Sequence, residues 1–181
     1  MVPSVRPVDR PPVGRRVKGC YHIISELGAG AFGAVSRAED EVSGGEIAIR
    51  FLPRELDDLS PAAPLRRHTG RSIVEASTHH PSLVHVLEFG KADNGQTFVT
   101  MELTHGRRLS EMLSEGPLDV DAALRVAIAL GGAVETLHNM GQFHGALRPR
   151  NVMVSQDGHV KLVDVELAGL RAAPARQGIV A

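Results

Sequence analysis

Tryptophan is missing from this chain of 181 residues, and with one tyrosine and five phenylalanines the aromatic share is only 3%. Base-stacking platforms and aromatic cages need several such rings, so neither is expected. A single cysteine, Cys20, excludes an internal disulfide framework and a cysteine-rich zinc site, which suits a reducing compartment. Neither sign of charge dominates: 20 basic against 21 acidic residues leave a net charge of −1. That balance argues against a dedicated nucleic-acid or anionic-membrane binder. No segment approaches the ~18 apolar residues of a membrane span, and the N-terminus lacks the apolar core of a signal peptide. With 43% hydrophobic and 23% charged residues, the expectation is a cytoplasmic globular protein of one domain, or one domain and a tail.

Residues 1–19 hold four prolines and five basic residues without apolar periodicity, so they are expected to form a disordered arm. From Tyr21 the pattern becomes short strands joined by glycine turns. Gly28 to Val35 (GAGAFGAV) and Ser43-Gly44-Gly45 are turns, and Glu46–Leu52 alternates as a strand. Leu83–Phe89 and Gln96–Leu103 read as strands around Asp93-Asn94-Gly95, a hairpin signal in which Asn-Gly takes positive φ at both central positions. Pro61 to Thr78 leaves room for one helix. After Pro117 the period becomes helical: Ala123, Val126, Ala127, Leu130, Val134 and Leu137 fall on one stripe, with Asp119 as N-cap. Gly131-Gly132 weakens that helix and permits close packing of a neighbour. A last hairpin turns at Gln156-Asp157-Gly158. The nine histidines match no ligand spacing, His144 reads as packing beside Asp164-Val165-Glu166, and no serine lies in a nucleophile-elbow pattern.

Several of these segments carry a resemblance. GAGAFGAV is similar to the glycine-rich loop of protein kinases, where bare backbone N–H groups approach phosphates. Glu46 to Arg50 (EIAIR) resembles the strand bearing the phosphate-binding lysine, and His80 to Val84 (HPSLV) the turn after the N-lobe helix. Val99 to Leu103 (VTMEL) resembles the strand entering the adenine-contacting hinge, with Met101 as gatekeeper. His144 to Asn151 (HGALRPRN) resembles the catalytic loop, and Lys161 to Ala168 the strand ending in D-F-G. The chain is identified as a member of the protein kinase superfamily, most similar in flavour to the bacterial Hanks-type serine/threonine kinases.

The resemblance implies an α+β, protein-kinase-like fold. Its parts are a five-stranded antiparallel N-lobe sheet with one helix over 20–103, a partial, mainly helical C-lobe over 104–168, and a flexible activation-segment remnant over 169–181. It implies a nucleotide site at Leu27, Gly28, Gly30, Phe32, Gly33, Val35, Ala48, Arg50, Met101, Glu102, Leu103 and Met153. Asn151 and Asp164 become the Mg²⁺ ligands. The departures weaken the chemistry. Ala146 stands where the aspartate base would be, and a methyl group accepts no proton; a positioned base contributes ~10²–10⁴-fold. Arg148 replaces the following lysine, and Arg50 the strand lysine; a guanidinium keeps the charge but not the reach. The carboxylate partner of Arg50 is Glu75 in one register, whereas the other places Arg71 there. Val165 and Glu166 replace Phe and Gly. Affinity for ATP and Mg²⁺ is left open, retained or lost. The sequence stops at Ala181, ahead of the family's later helices, so the expectation is a truncated domain whose helix 119–138 meets a protein partner or a second copy. The implied function is that of a catalytically impaired pseudokinase acting through protein–protein interaction in signalling. A weakly active serine/threonine kinase is the alternative.

Overall fold

The computed structural model describes residues 13–30, 33–53 and 80–167. The chain divides into two compact units. The first is drawn from residues up to Arg67 and from Val86–Leu103, the second from His68–His85 and from Thr104 onward. The expected helix within 61–78, the remnant 169–181, and residues Phe32, Arg71 and Glu75 lie outside the described residues.

The first unit is an antiparallel sheet of β1 (Arg16–Val17), β2 (Tyr21–Gly30), β3 (Gly33–Asp40), β4 (Gly45–Phe51), β5 (Val86–Lys91) and β6 (Thr97–Glu102), in the order β1-β2-β3-β4-β6-β5. Six strands are present, not five. The extra one corrects the reading of a disordered arm at Arg16–Val17, where Arg16 pairs with His22 and Val17 with Tyr21, while residues 1–12 of that arm lie outside the described residues. The buried Val17 side chain joins Ile23, Ala38, Ile47, Ile49, Phe51 and Phe98 in one core. That burial anchors a segment whose composition alone reads as mobile. Lys18 and Tyr21 also reach Glu88 on β5, at 3.0 and 2.8 Å.

The β3–β4 turn is closed by Asp40, whose carboxylate accepts from the Ser43 hydroxyl at 2.8 Å and the Val42 N–H at 3.0 Å. In the β5–β6 turn only Gly95 takes positive φ, +80°, while the Asn94 side chain accepts from the Gln96 N–H. The two positive φ values expected of Asn-Gly are therefore replaced by one, followed by a bulge-type closure through Gly95 N–H to Ala92 O. β5 begins at Val86, later than expected, because Leu83 and Val84 are held elsewhere: Val84 N–H donates to Leu162 O and Leu162 N–H to Ser82 O.

That stitching belongs to the second unit, whose small sheet is β7 (Arg107–Arg108), β8 (Val152–Val154) and β9 (Val160–Leu162). Its helices are α1 (Leu109–Glu115) and α2 (Val120–Asn139). Asp119 caps α2, its Oδ1 accepting the Ala122 N–H at 2.7 Å. α2 packs on β9 and buries Val126, Ala133 and Leu137. Gly132 meets the His80 turn, where a Cβ would lie 2.6 Å from the imidazole Nε2. The close approach expected of the glycine pair is thus real, and it falls on Gly132. The single apolar stripe is not: Ala123 and Ala127 are exposed, because the burying neighbours lie further round the helix. Among the described residues no helix is long and apolar enough to cross a membrane.

Candidate functional site

The first unit carries the glycine turn. Across it Gly28 pairs with Val35 and Gly30 with Gly33, and a register shift between Glu26 and Gly28 leaves Leu27 as an exposed bulge residue. Gly33 has φ +110°, and a Cβ there would sit 1.8 Å from the Phe51 carbonyl oxygen. The turn therefore needs a residue without a side chain for two independent reasons, conformation and space.

Behind the turn the register places Arg50 between Val35 and Val99, and Ala48 between Arg37 and Met101. Directly paired residues and residues two apart on one strand share a face, so Val35, Ala48, Arg50 and Met101 lie on one side of the sheet. Ile47, Ile49 and Phe51 lie on the other, in the core. Ala48 and Met101 are buried, whereas Val35 and Arg50 are half-buried. Glu102 ends β6 opposite Ile47, and Leu103 follows it. The same face carries Arg37, which is ion-paired with Glu46; Arg50, among Val35, Ala48 and Met101, suits a ligand with an apolar body and an anionic end.

The second unit carries the loop around Ala146, which hydrogen bonds tie to His144 and Asn151. The buried His144 accepts the Ala146 N–H on Nδ1 at 3.3 Å. Its Nε2 therefore carries the proton and donates to Val163 O at 2.9 Å. Asn151, also buried, donates its Nδ2 to Ala146 O at 2.9 Å, and its backbone carbonyl accepts the Val163 N–H at 2.9 Å. Ala146, Asn151 and the residue before Asp164 are thus tied into one frame. Gly145, at φ +70°, lets the chain turn between His144 and Ala146. Asp164 sits in the left-handed region at φ +68°, which aspartate tolerates better than most residues. The turn Val165–Leu167 follows it, closed by Leu167 N–H to Asp164 O at 3.2 Å. Val165 and Leu167 are fully buried. Arg148 is exposed at the start of the Pro149–Asn151 turn, and Met153 is half-buried on β8 between Arg108 and Lys161.

A methyl group at the centre of this frame can neither take a proton nor orient a hydroxyl. The donors for a hard cation remain. Asn151 spends its amide nitrogen on Ala146 O, which leaves Oδ1 as the oxygen to offer, and Asp164 supplies a carboxylate. Among the described residues no three His, Cys, Asp or Glu side chains cluster. Two oxygen donors fit Mg²⁺, which keeps several waters and is completed by substrate phosphates. Burial, and next Asp40, push the Cys20 thiol pKa up, which disfavours the thiolate. Two features of the site were not evident from the residues alone, the left-handed Asp164 and the Val163 backbone bonds. The glycine before Ala146 was the one available signal.

Residues 21–176 match the protein kinase domain family, and the chain belongs to it. It is 27% identical over 157 residues to the serine/threonine-protein kinase PrkC of Bacillus subtilis, covering 86% of this chain and 24% of that one. It is 28% identical over 173 residues to the serine/threonine-protein kinase PknA of Mycobacterium tuberculosis, covering 92% and 40%. Among solved structures, a double mutant of the M. tuberculosis PknI kinase domain superposes with a TM-score of 0.70 at 25% identity, covering 88% of this chain and 65% of that one. The chain therefore spans well under half the length of these curated relatives and about two thirds of the solved kinase domain.

Proposed function

We propose that this kinase-family chain is catalytically impaired, a pseudokinase that holds ATP·Mg²⁺ as a ligand and acts in signalling through protein contacts. The observation that carries the reading is Ala146. Both backbone groups of Ala146 are hydrogen-bonded, to His144 and to Asn151, which favours a site that lacks a functional group and not a scaffold. Arg50 and the backbone N–H groups of the glycine turn would hold the phosphates; Asn151 and Asp164 would hold the metal. Bound Mg²⁺ neutralises phosphate charge and polarises the terminal phosphoryl group. A second reading, a weak serine/threonine kinase, draws on the same two metal donors, because phosphoryl transfer rests mainly on positioning and electrostatics.

Phosphate transfer from γ-labelled ATP, to the chain itself and to a generic protein acceptor, separates the two. The expected result for the natural sequence is transfer no greater than that of Asp164→Asn. Transfer that Asp164→Asn abolishes would overturn the impaired reading. Nucleotide binding is read separately from the thermal melt. ATP and Mg²⁺ at 100 times the dissociation constant should stabilise the fold by about 2.7 kcal/mol, several degrees, and Asp164→Asn should remove the shift. A melt unmoved by ATP and Mg²⁺ would remove nucleotide from the proposal.

A further inference from the structure

The hairpin that joins β1 to β2 is closed by a strained turn. It takes the left-handed region twice in succession, at Lys18 (φ 52°) and Gly19 (φ 72°), with Cys20 N–H donating to Val17 O at 3.2 Å. Glycine adopts that region freely, whereas the Cβ of a lysine disfavours it. Among the described residues only Lys18 and Asp164 combine a side chain with positive φ.

The contacts that hold β1 do not depend on this turn. Val17 is buried in the sheet core, Arg16 forms an ion pair with Glu41 at 2.9 Å, and Gly14 N–H and Arg15 O bond to Ile23. Every group of the arm lies before the turn, and Ile23 and Glu41 lie after it. A second copy offers the same seat, so an arm that crosses to it keeps all of these contacts. The Lys18–Glu88 pair is given up, but its side chains are 49% and 32% exposed, and such a surface pair contributes little.

The register makes the crossing symmetric. Arg16 pairs with His22 and Val17 with Tyr21, so both rungs are centred on Gly19. When the turn opens into extended chain, residues 16–22 of two copies continue that register antiparallel. Lys18 then faces Cys20 of the second copy, and Gly19 faces Gly19 on the two-fold axis. The ladder gains rungs at residues 18, 19 and 20, and Lys18 leaves the left-handed region. Short hinges under strain favour such an exchange over the closed hairpin.

We propose that two copies of this chain exchange β1 reciprocally, the turn at Lys18–Cys20 opening so that Val17 of each copy fills the sheet core of the other. Arm and seat both belong to the first unit. The exchange stands apart from the loss of catalysis, since it is read without nucleotide and without phosphate transfer.

Sedimentation of the whole chain from about 5 to about 500 µM tests it, because a reversible dimer must respond to concentration by mass action. The expected result is a monomer–dimer equilibrium. Gly19→Val should tighten it about a hundredfold, since a β-branched residue suits a strand and disfavours the closed turn by about tenfold at each of two hinges. Gly19→Cys in a Cys20→Ser background should give a disulfide between copies on mild oxidation, because facing residues have Cα atoms about 5 Å apart. Far-UV melts of each variant separate loss of exchange from loss of fold. A natural sequence that stays monomeric across the whole range would overturn the proposal. So would a dimer that Gly19→Val leaves unchanged or weakens. Cross-linking at residue 19 no faster than that of Val42→Cys in the same background, on the 84% exposed Val42 of the β3–β4 turn, would overturn it too.

Discussion

The glycine turn of the first unit and the Ala146 loop of the second show two kinds of dependence on sequence. At Gly33 the backbone and the Phe51 carbonyl together exclude any side chain, so the residue is dictated by the fold. At Ala146 the backbone N–H and carbonyl are both bonded, to His144 and Asn151, while the side chain takes no part in holding the loop. The bonds that shape the loop therefore do not depend on the side chain of residue 146, provided its N–H is kept. Chemistry and architecture are carried by different atoms of the same loop, and one can be lost without the other.

Replacing Gly33 by alanine should be the most damaging single change. Positive φ and a backbone clash act together, each costing about 1–3 kcal/mol, so urea unfolding should show a loss of about 3 kcal/mol or more. His144→Ala should come next. It leaves the half-buried Val163 carbonyl without its ring donor, at about 1–3 kcal/mol, and a local cavity besides. Ala146→Asp should do the opposite of both. Stability should stay within about 0.5 kcal/mol, while phosphate transfer should rise by ~10² or more if the missing base is the main defect. A variant equally stable but silent would move the defect to Arg50 in the first unit.

The smallest effect belongs to Tyr21, at the other end of β2 from the glycine turn. Partial burial, then the hydrogen bond to Glu88, raise its phenol pKa above the ordinary value of 10.0. The folded state thus holds the proton more tightly than the unfolded chain. The resulting stability is complete below about pH 10 and is lost as the pH rises from there toward the raised folded value. Tyr21→Phe should remove about 1 kcal/mol at neutral pH and flatten that alkaline fall, as melts from about pH 8 to about pH 11 would show. An unchanged alkaline slope would mean that another group sets it.

Much of this was legible in the residues, for reasons that differ by element. Glycine turns announce themselves because few other residues reach positive φ, which is why the β2–β3, β3–β4 and β8–β9 connections were readable. The order of motifs pointed to the kinase fold, and the family match over 21–176 bears that out. β1 was not readable, since two paired residues show no alternation and their anchor is the burial of one valine. The stripe on α2 was read as one face because periodicity marks apolar positions, not which of them meet a neighbour. His144 was placed beside Asp164, but its link to Val163 O is a tertiary bond that no local pattern encodes.

The pairing of Arg16–Val17 with the start of β2 also bears on how the sheet ends. A free strand edge offers unpaired N–H and C=O groups to any passing chain. β1 occupies the first rungs of that edge, and Gly14 N–H and Arg15 O extend the cover through their bonds to Ile23. At the opposite edge the register shift between Val86 and Glu88 distorts β5, and Lys91 places a charge at its end. Each border of the sheet thus carries a feature that disfavours strand addition over part of its length. The cover on the β2 edge lies just outside residues 21–176, which match the protein kinase domain family, whereas that on β5 lies within them.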